Sequence, residues 1–207
     1  MKKLFLGAAL ALGTLTFAQQ IGIKGGMNVS SLSKDSNLSD QNSKIGFNAG
    51  VFLNAPISSQ FSIQPEVLYN DLGSKITQSE VIAGNTYTTS KSRNLGYISV
   101  PVMFQYNATP QFYLEAGPQM SFLVDANDKF KSSTNGNTNS STIVSLNKNN
   151  YNTFDFGVGI GAGYYFTPSI GITARYVAGV TDIYKNNSGD SVKNNVFQVG
   201  LAYKFGK

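Results

Sequence analysis

Six ionisable side chains, Lys24, Glu66, Glu115, Asp155, Arg175 and Lys204, stand where the flanking residues alternate strictly between apolar and polar. Carboxylates and cations enclosed on one face can pair into a static polar plug, pass protons or ions along, or work as an acid–base couple. Chemistry beyond pairing lacks its usual tools in this chain. There is no histidine, which removes His-based triads, His-ligated metal sites and a His general base. A carboxylate pair by itself brings no nucleophile, metal or substrate cleft. The glycines at 157, 159, 161 and 163 run at period two and miss the G-x-G-x-x-G spacing of a dinucleotide loop. Their role is steric, since bare inward positions leave room for long side chains such as Arg175. The six charges therefore read as a structural polar cluster, with no catalytic residue, no metal and no cofactor.

The elements that must hold these charges are strands. From Gln20 onward the dominant period is two. In Phe154–Phe166 one face carries Phe154, Phe156, Val158, Ile160, Ala162, Tyr164 and Phe166, and the other carries Asp155, four glycines and Tyr165. A run of this length with one purely apolar face matches the ~9–11 residues that cross a bilayer at a tilt. The same alternation predicts seven more strands, at Gln20–Ser30, Lys44–Asn54, Phe61–Asn70, Tyr97–Tyr106, Phe112–Leu123, Ile170–Val177 and Val196–Phe205. Pro65, Pro101 and Pro118 fall inside strands, and because proline cannot donate to a ladder they are expected at bulges or local kinks. Counting from the strand ends puts Lys24, Glu66, Glu115 and Arg175 at similar depth, with Gln64, Gln105, Gln119 and Gln198 beside them.

Connection lengths set the topology. The links at 55–60, 107–111 and 167–169 are short and contain proline. Those at 31–43, 71–96, 124–150 and 178–195 are long, and the two kinds alternate without exception. Short periplasmic turns and longer extracellular loops are the pattern of outer-membrane barrels. The fold class is therefore all-β, an eight-stranded antiparallel up-and-down transmembrane β-barrel. Residues 128–150 are dominated by Ser, Thr, Asn and Lys, so that loop is expected to bury little and to be mobile. Outward aromatics fall in two groups that fit the girdles of a lipid-embedded wall. Tyr106, Phe112, Tyr164, Phe166, Tyr203 and Phe205 lie toward the periplasmic end, and Phe47, Tyr69, Phe122, Phe154 and Phe197 toward the outer end.

Composition agrees. Met1-Lys2-Lys3, the apolar run Leu4–Leu12 and Thr16-Phe17-Ala18 form a cleavable signal peptide over 1–18, leaving the barrel domain at 19–207. No later stretch approaches the ~20 apolar residues of a spanning helix. The net charge of +5 falls to about +3 without Lys2 and Lys3, and no basic run marks a nucleic-acid surface. Charged residues are 13%, against the ~25% usual for soluble domains. There is no cysteine, so no disulfide stabilises the exported domain.

The stretches Gly96–Tyr106, Tyr113-Leu114-Glu115-Ala116-Gly117-Pro118 and Asp155–Gly163 resemble the PorT-like outer-membrane β-barrel family. So do the opening Ile23-Lys24-Gly25-Gly26-Met27-Asn28 and Arg175-Tyr176 with Gly179 and Thr181-Asp182-Ile183. The resemblance implies an eight-stranded barrel, usually of unassigned function, with one branch linked to secretion and gliding. It offers no catalytic residues. Barrels of this kind commonly end in an aromatic residue, whereas here Phe205 is followed by Gly206-Lys207. The expected role is a non-enzymatic envelope, surface-interaction or assembly protein. Its expected partners are outer-membrane lipids, the barrel-assembly machinery, and proteins that meet the four long loops. The alternative is a small channel or secretion accessory. A lipid-modifying enzyme and a soluble lipocalin-like carrier rank lower, the carrier because it would place apolar residues inward.

Overall fold

A computed structural model describes residues 19–33, 42–185 and 190–205. The leader at 1–18, the segment 34–41 of the first long connection, 186–189 and the closing Gly206-Lys207 lie outside the described residues. The strands are β1 (Gln20–Leu32), β2 (Asn42–Pro56), β3 (Phe61–Ile82), β4 (Asn85–Asn107), β5 (Phe112–Thr134), β6 (Asn137–Ser145), β7 (Phe154–Tyr165), β8 (Ile170–Gly179) and β9 (Asn194–Lys204). Eight of them pair antiparallel with their ring neighbours: β1 to β2, β2 to β3, β3 to β4, β4 to β5, β5 to β7, β7 to β8, β8 to β9, and β9 back to β1. The ring is closed, so within it no backbone edge is left for lipid to desolvate.

The pleat sorts side chains inside out relative to a soluble core. On β7, Ile160 is 61% exposed; in the same barrel, inward-facing Asn28 and Ser99 are 0% exposed. Apolar side chains line the outer wall and polar ones the interior, which excludes the lipocalin-like arrangement. Outward rings stack in two belts. Phe47 meets Tyr69 and Phe122 meets Phe154 at the outer end, while Phe61 meets Tyr106 and Tyr203 meets Phe205 at the other.

The three short turns share one device. The hydroxyls of Ser58, Thr109 and Thr167 each accept backbone N–H groups two and three residues on. Each thereby pins the first residue of the following strand.

The long connections differ from expectation. Residues 71–96 are not a loop: β3 and β4 run on in unbroken register from Asp71↔Gly96 to Ile82↔Asn85, turning at Ala83-Gly84 with φ of 49° and 78°. Nor is 128–150 a mobile loop, because β5 continues to Thr134, turns at Asn135-Gly136 (φ 50° and 83°) and returns as β6. Polar composition misled because a strand with water on both faces has no apolar alternation to show. The Asn-Gly pair, a strong hairpin signal, was the cue that composition obscured. The extended parts of β3, β4 and β5 together with β6 form an open four-stranded sheet standing above the barrel. It runs roughly 40 Å along β3 and β4 and roughly 30 Å along β5 and β6, at ~3.3 Å per residue. The hairpin tips are tied together: Asn135 Oδ1 accepts from the Thr86 N–H at 2.8 Å, and Asn135 Nδ2 donates to Asn85 Oδ1 at 2.8 Å.

The prolines do not sit at bulges. Register is continuous through Pro65↔Val102 and Pro101↔Gln119, and the ladder only skips pairs beside them. The register shifts fall instead between Ser43 and Asn48, at Gly96/Tyr97, and at Ser132/Ser133.

Candidate functional site

The barrel interior is layered. At the periplasmic end Lys204 Nζ stands 4.0 Å from the centre of the Tyr165 ring, which in turn packs on Tyr113 at 6.1 Å. Above them Asn54, Ser62 and Gln105 interlock, with Asn54 Nδ2 donating to Gln105 Oε1 at 2.7 Å.

The charged layer follows. Arg175 donates through Nη1 and Nη2 to both oxygens of Glu66, at 2.9 and 2.7 Å, and through Nε to Glu115 Oε1 at 2.7 Å. Lys24 Nζ reaches Glu66 at 3.2 Å. Amides occupy the remaining lone pairs: Gln64 donates to Glu66 at 2.8 Å and Gln105 to Glu115 at 3.1 Å. Two cations face two carboxylates, all nearly inaccessible to solvent, so the layer is neutral and its hydrogen bonds are satisfied. That is the condition under which buried charges are tolerated. Space for it comes from β7. A Cβ on Gly161 would lie 3.0 Å from Glu115 Oε1, and one on Gly163 would overlap the Tyr113 ring at 2.3 Å.

A third layer is uncharged. Asn28 receives a hydrogen bond from Asn48 and donates to Asn70, and Gln198 donates to both Asn28 and Asn70. Asp155 lies higher still, away from the other acids, accepting from Thr181 Oγ1 and from Asn194 Nδ2 at 3.0 Å. Of the six charges singled out in the sequence, four meet in one network. Asp155 and Lys204 sit at opposite ends of the lumen.

The outer mouth is closed by apolar packing that sequence reasoning missed. Leu72, Leu95, Tyr97, Leu123 and Val177 from the wall pack with Tyr151, Ile183 and Val192, which come from connections between strands. Tyr151 also stacks on Tyr184 at 5.3 Å. Isolated apolar residues in polar stretches were the available signal. Beside this cap, Arg93 makes two hydrogen bonds to the Asp128 carboxylate at 3.0 and 3.1 Å and a third to the Tyr184 hydroxyl at 2.6 Å. Burial opposes ionisation of Asp128, but hydrogen bonds from Arg93 and Lys91 outweigh it and hold the carboxyl below its ordinary range.

A closed ring of eight strands, apolar outside, polar inside and belted by aromatics, is an outer-membrane architecture. Residues 17–185 match the Outer membrane protein beta-barrel domain family. The chain belongs to that family. Membership places this barrel in the outer membrane. No curated protein matches the chain at a significant level. Among solved structures, the barrel is similar to Neisserial surface protein A, with a TM-score of 0.51 at 15% identity over 91% of this chain and 100% of that one. It is similar also to Ail, the attachment invasion locus protein of Yersinia pestis, solved with the heparin analogue sucrose octasulfate. There the TM-score is 0.50 at 15% identity over 91% and 100%. At this identity the likeness is one of fold. Among the described residues of this barrel domain, no three metal-binding side chains come together.

Proposed function

We propose that this chain is a non-enzymatic outer-membrane barrel with a closed lumen, which acts through the sheet it raises above the membrane. The observation that carries this reading is the double seal of the interior. The Lys24–Glu66–Arg175–Glu115 layer spans the lumen, and the Tyr151–Ile183–Val192 cap fills the mouth. An eight-stranded interior is just wide enough for side chains to fill, so neither layer leaves a path for solutes. The six ionisable residues then serve structure, four as the neutral plug and Asp155 and Lys204 as anchors of its two ends.

The reading includes export by a signal peptide cleaved after Ala18 and insertion by the barrel-assembly machinery into outer-membrane lipid. The PorT-like resemblance supports a place in that wider family of barrels, and an assembly or secretion-accessory role would use the same emergent sheet to meet partner proteins. Planar-bilayer recording of the purified barrel tests the closed lumen. No stable unitary steps are expected, and reproducible steps would overturn it in favour of a small channel.

A further inference from the structure

The emergent sheet separates its charges by face. On its inner face Lys91 and Arg93 both pair with Asp128, at 3.0 Å each. On its outer face Lys75, Ser92 and Lys129 lie in one cross-strand row, and Thr77, Ser90 and Lys131 in the next. Their opposite facing follows from the pleat, because Ser74 and Asp128, one residue away on their strands, are buried. The three outer lysines are exposed, and none has an ion-pair partner among the described residues.

Among the described residues, no acid stands in either row. Asp71 and Asp125 are the acids of that face and lie below both rows; Asp71 is bound by Lys44, and Asp125 accepts from Asn127 at 2.8 Å. The lower row overlooks a cleft of about 420 Å³ whose lining includes Lys44, Asp71, Lys75, Ser92 and Lys129, so that three lysines there outnumber one carboxylate. Adjacent strands stand ~4.8 Å apart, so Lys75 and Lys129 flank the cleft at roughly 10 Å between Cα atoms. The row stands roughly 15 Å above the Tyr69 ring of the outer aromatic belt, from ~3.3 Å per residue and a ~40° tilt. That height is beyond the acyl chains and level with the sugars of a glycolipid leaflet. Hydroxyls of Thr77, Ser90 and Ser92 stand between the cations.

We propose that this outer face binds the phosphorylated sugar headgroup of the glycolipid in the surrounding outer leaflet, with Lys75, Lys129 and Lys131 meeting its phosphates. A leaflet ligand is favoured over a soluble one because the face looks sideways from the barrel wall, over the membrane. The inference rests on the outer-membrane reading and adds a ligand class to it.

The test uses the refolded chain in detergent, titrated with rough-type lipopolysaccharide, with the same glycolipid after phosphatase treatment, and with a soluble heparin fragment. Native mass spectrometry reads bound glycolipid. The triple variant K75Q/K129Q/K131Q should bind the phosphorylated form roughly 100-fold more weakly, as three surface cations near an anionic leaflet imply. Lys91→Gln should bind like wild type, and phosphatase treatment should erase the difference between wild type and the triple variant. Equal binding by the triple variant, or undiminished binding of the dephosphorylated glycolipid, overturns the inference. So does a heparin fragment that binds while the glycolipid does not. Heat-modifiable gel migration, run alongside, separates the outcomes. Its presence with no glycolipid binding removes this inference alone, and its absence in the wild-type chain removes the barrel reading too.

Discussion

Strands β3, β4 and β5 each pass through two surroundings, and their lower and upper halves are built by different rules. In the lower half, Glu66 and Glu115 are sealed from solvent and every charge is matched by another. In the upper half, Lys75, Lys129 and Lys131 stand in water with no ion-pair partner among the described residues, while the pair that packs against the mouth, Arg93 with Asp128, is matched again. The rule that changes is desolvation. A charge needs a counter-charge or dedicated hydrogen bonds where water is excluded, as Glu66 and Asp155 have, and needs neither where it is not. A charge left unmatched in the upper half is therefore free to meet something outside the chain.

The largest effect should come from breaking the lower half. Arg175→Ala leaves Glu66 and Glu115 facing each other with Lys24 alone to offset them, and should cost about 3–5 kcal/mol in urea unfolding of the detergent-folded barrel. Combining Arg175→Met with Glu115→Gln, which keeps the Lys24–Glu66 pair intact, should recover most of that loss, and failure to recover would mean that packing, not charge, dominates the layer. Next is the mouth. Ile183→Ala should destabilise the cap by about 2–5 kcal/mol. Faster amide exchange at Tyr151 and Val192, with unchanged exchange in the ring, is the expected signature.

A smaller and reversible effect is set by pH at the boundary between the halves. The Asp128 carboxyl is held below its ordinary value of 3.8, so its clamp on Arg93 is fully present above that pH and is lost as pH falls through the lowered value. Protease nicking of the β3–β4 hairpin should rise only in that acid range. Asp128→Asn should bring the same nicking to neutral pH. Smallest is the tip: Gly136→Ala, at φ 83°, should strain the turn by about 1 kcal/mol and leave heat-modifiable migration untouched.

The ring was legible in the sequence because lipid imposes a pattern on every strand it touches. Alternation around Val158 or Phe104 marks the wall, and counting from the strand ends puts Lys24, Glu66, Glu115 and Arg175 at one depth, where they form one network. Above the membrane that pattern stops. Ser79 and Thr88 face each other across β3 and β4, hydroxyl to hydroxyl at 3.0 Å, and nothing in their apolar content marks a strand. The mouth cap was hidden for a different reason. Tyr151, Ile183 and Val192 come together from connections far apart in sequence, and periodicity carries no record of contacts made between irregular segments.

The seam between β1 and β9 joins Gly22 to Lys204, so the ring closes only with the last strand of the chain. Each other contact in the ring is between strands that follow one another or are separated by a single hairpin, and can form as the chain is delivered. Closure is then the one step of high contact order, the kind of contact that slows folding. Until it occurs, β1 offers one open row of peptide groups and the latest strand another. The time this barrel spends vulnerable to mispairing is the waiting time for its final eleven-residue strand.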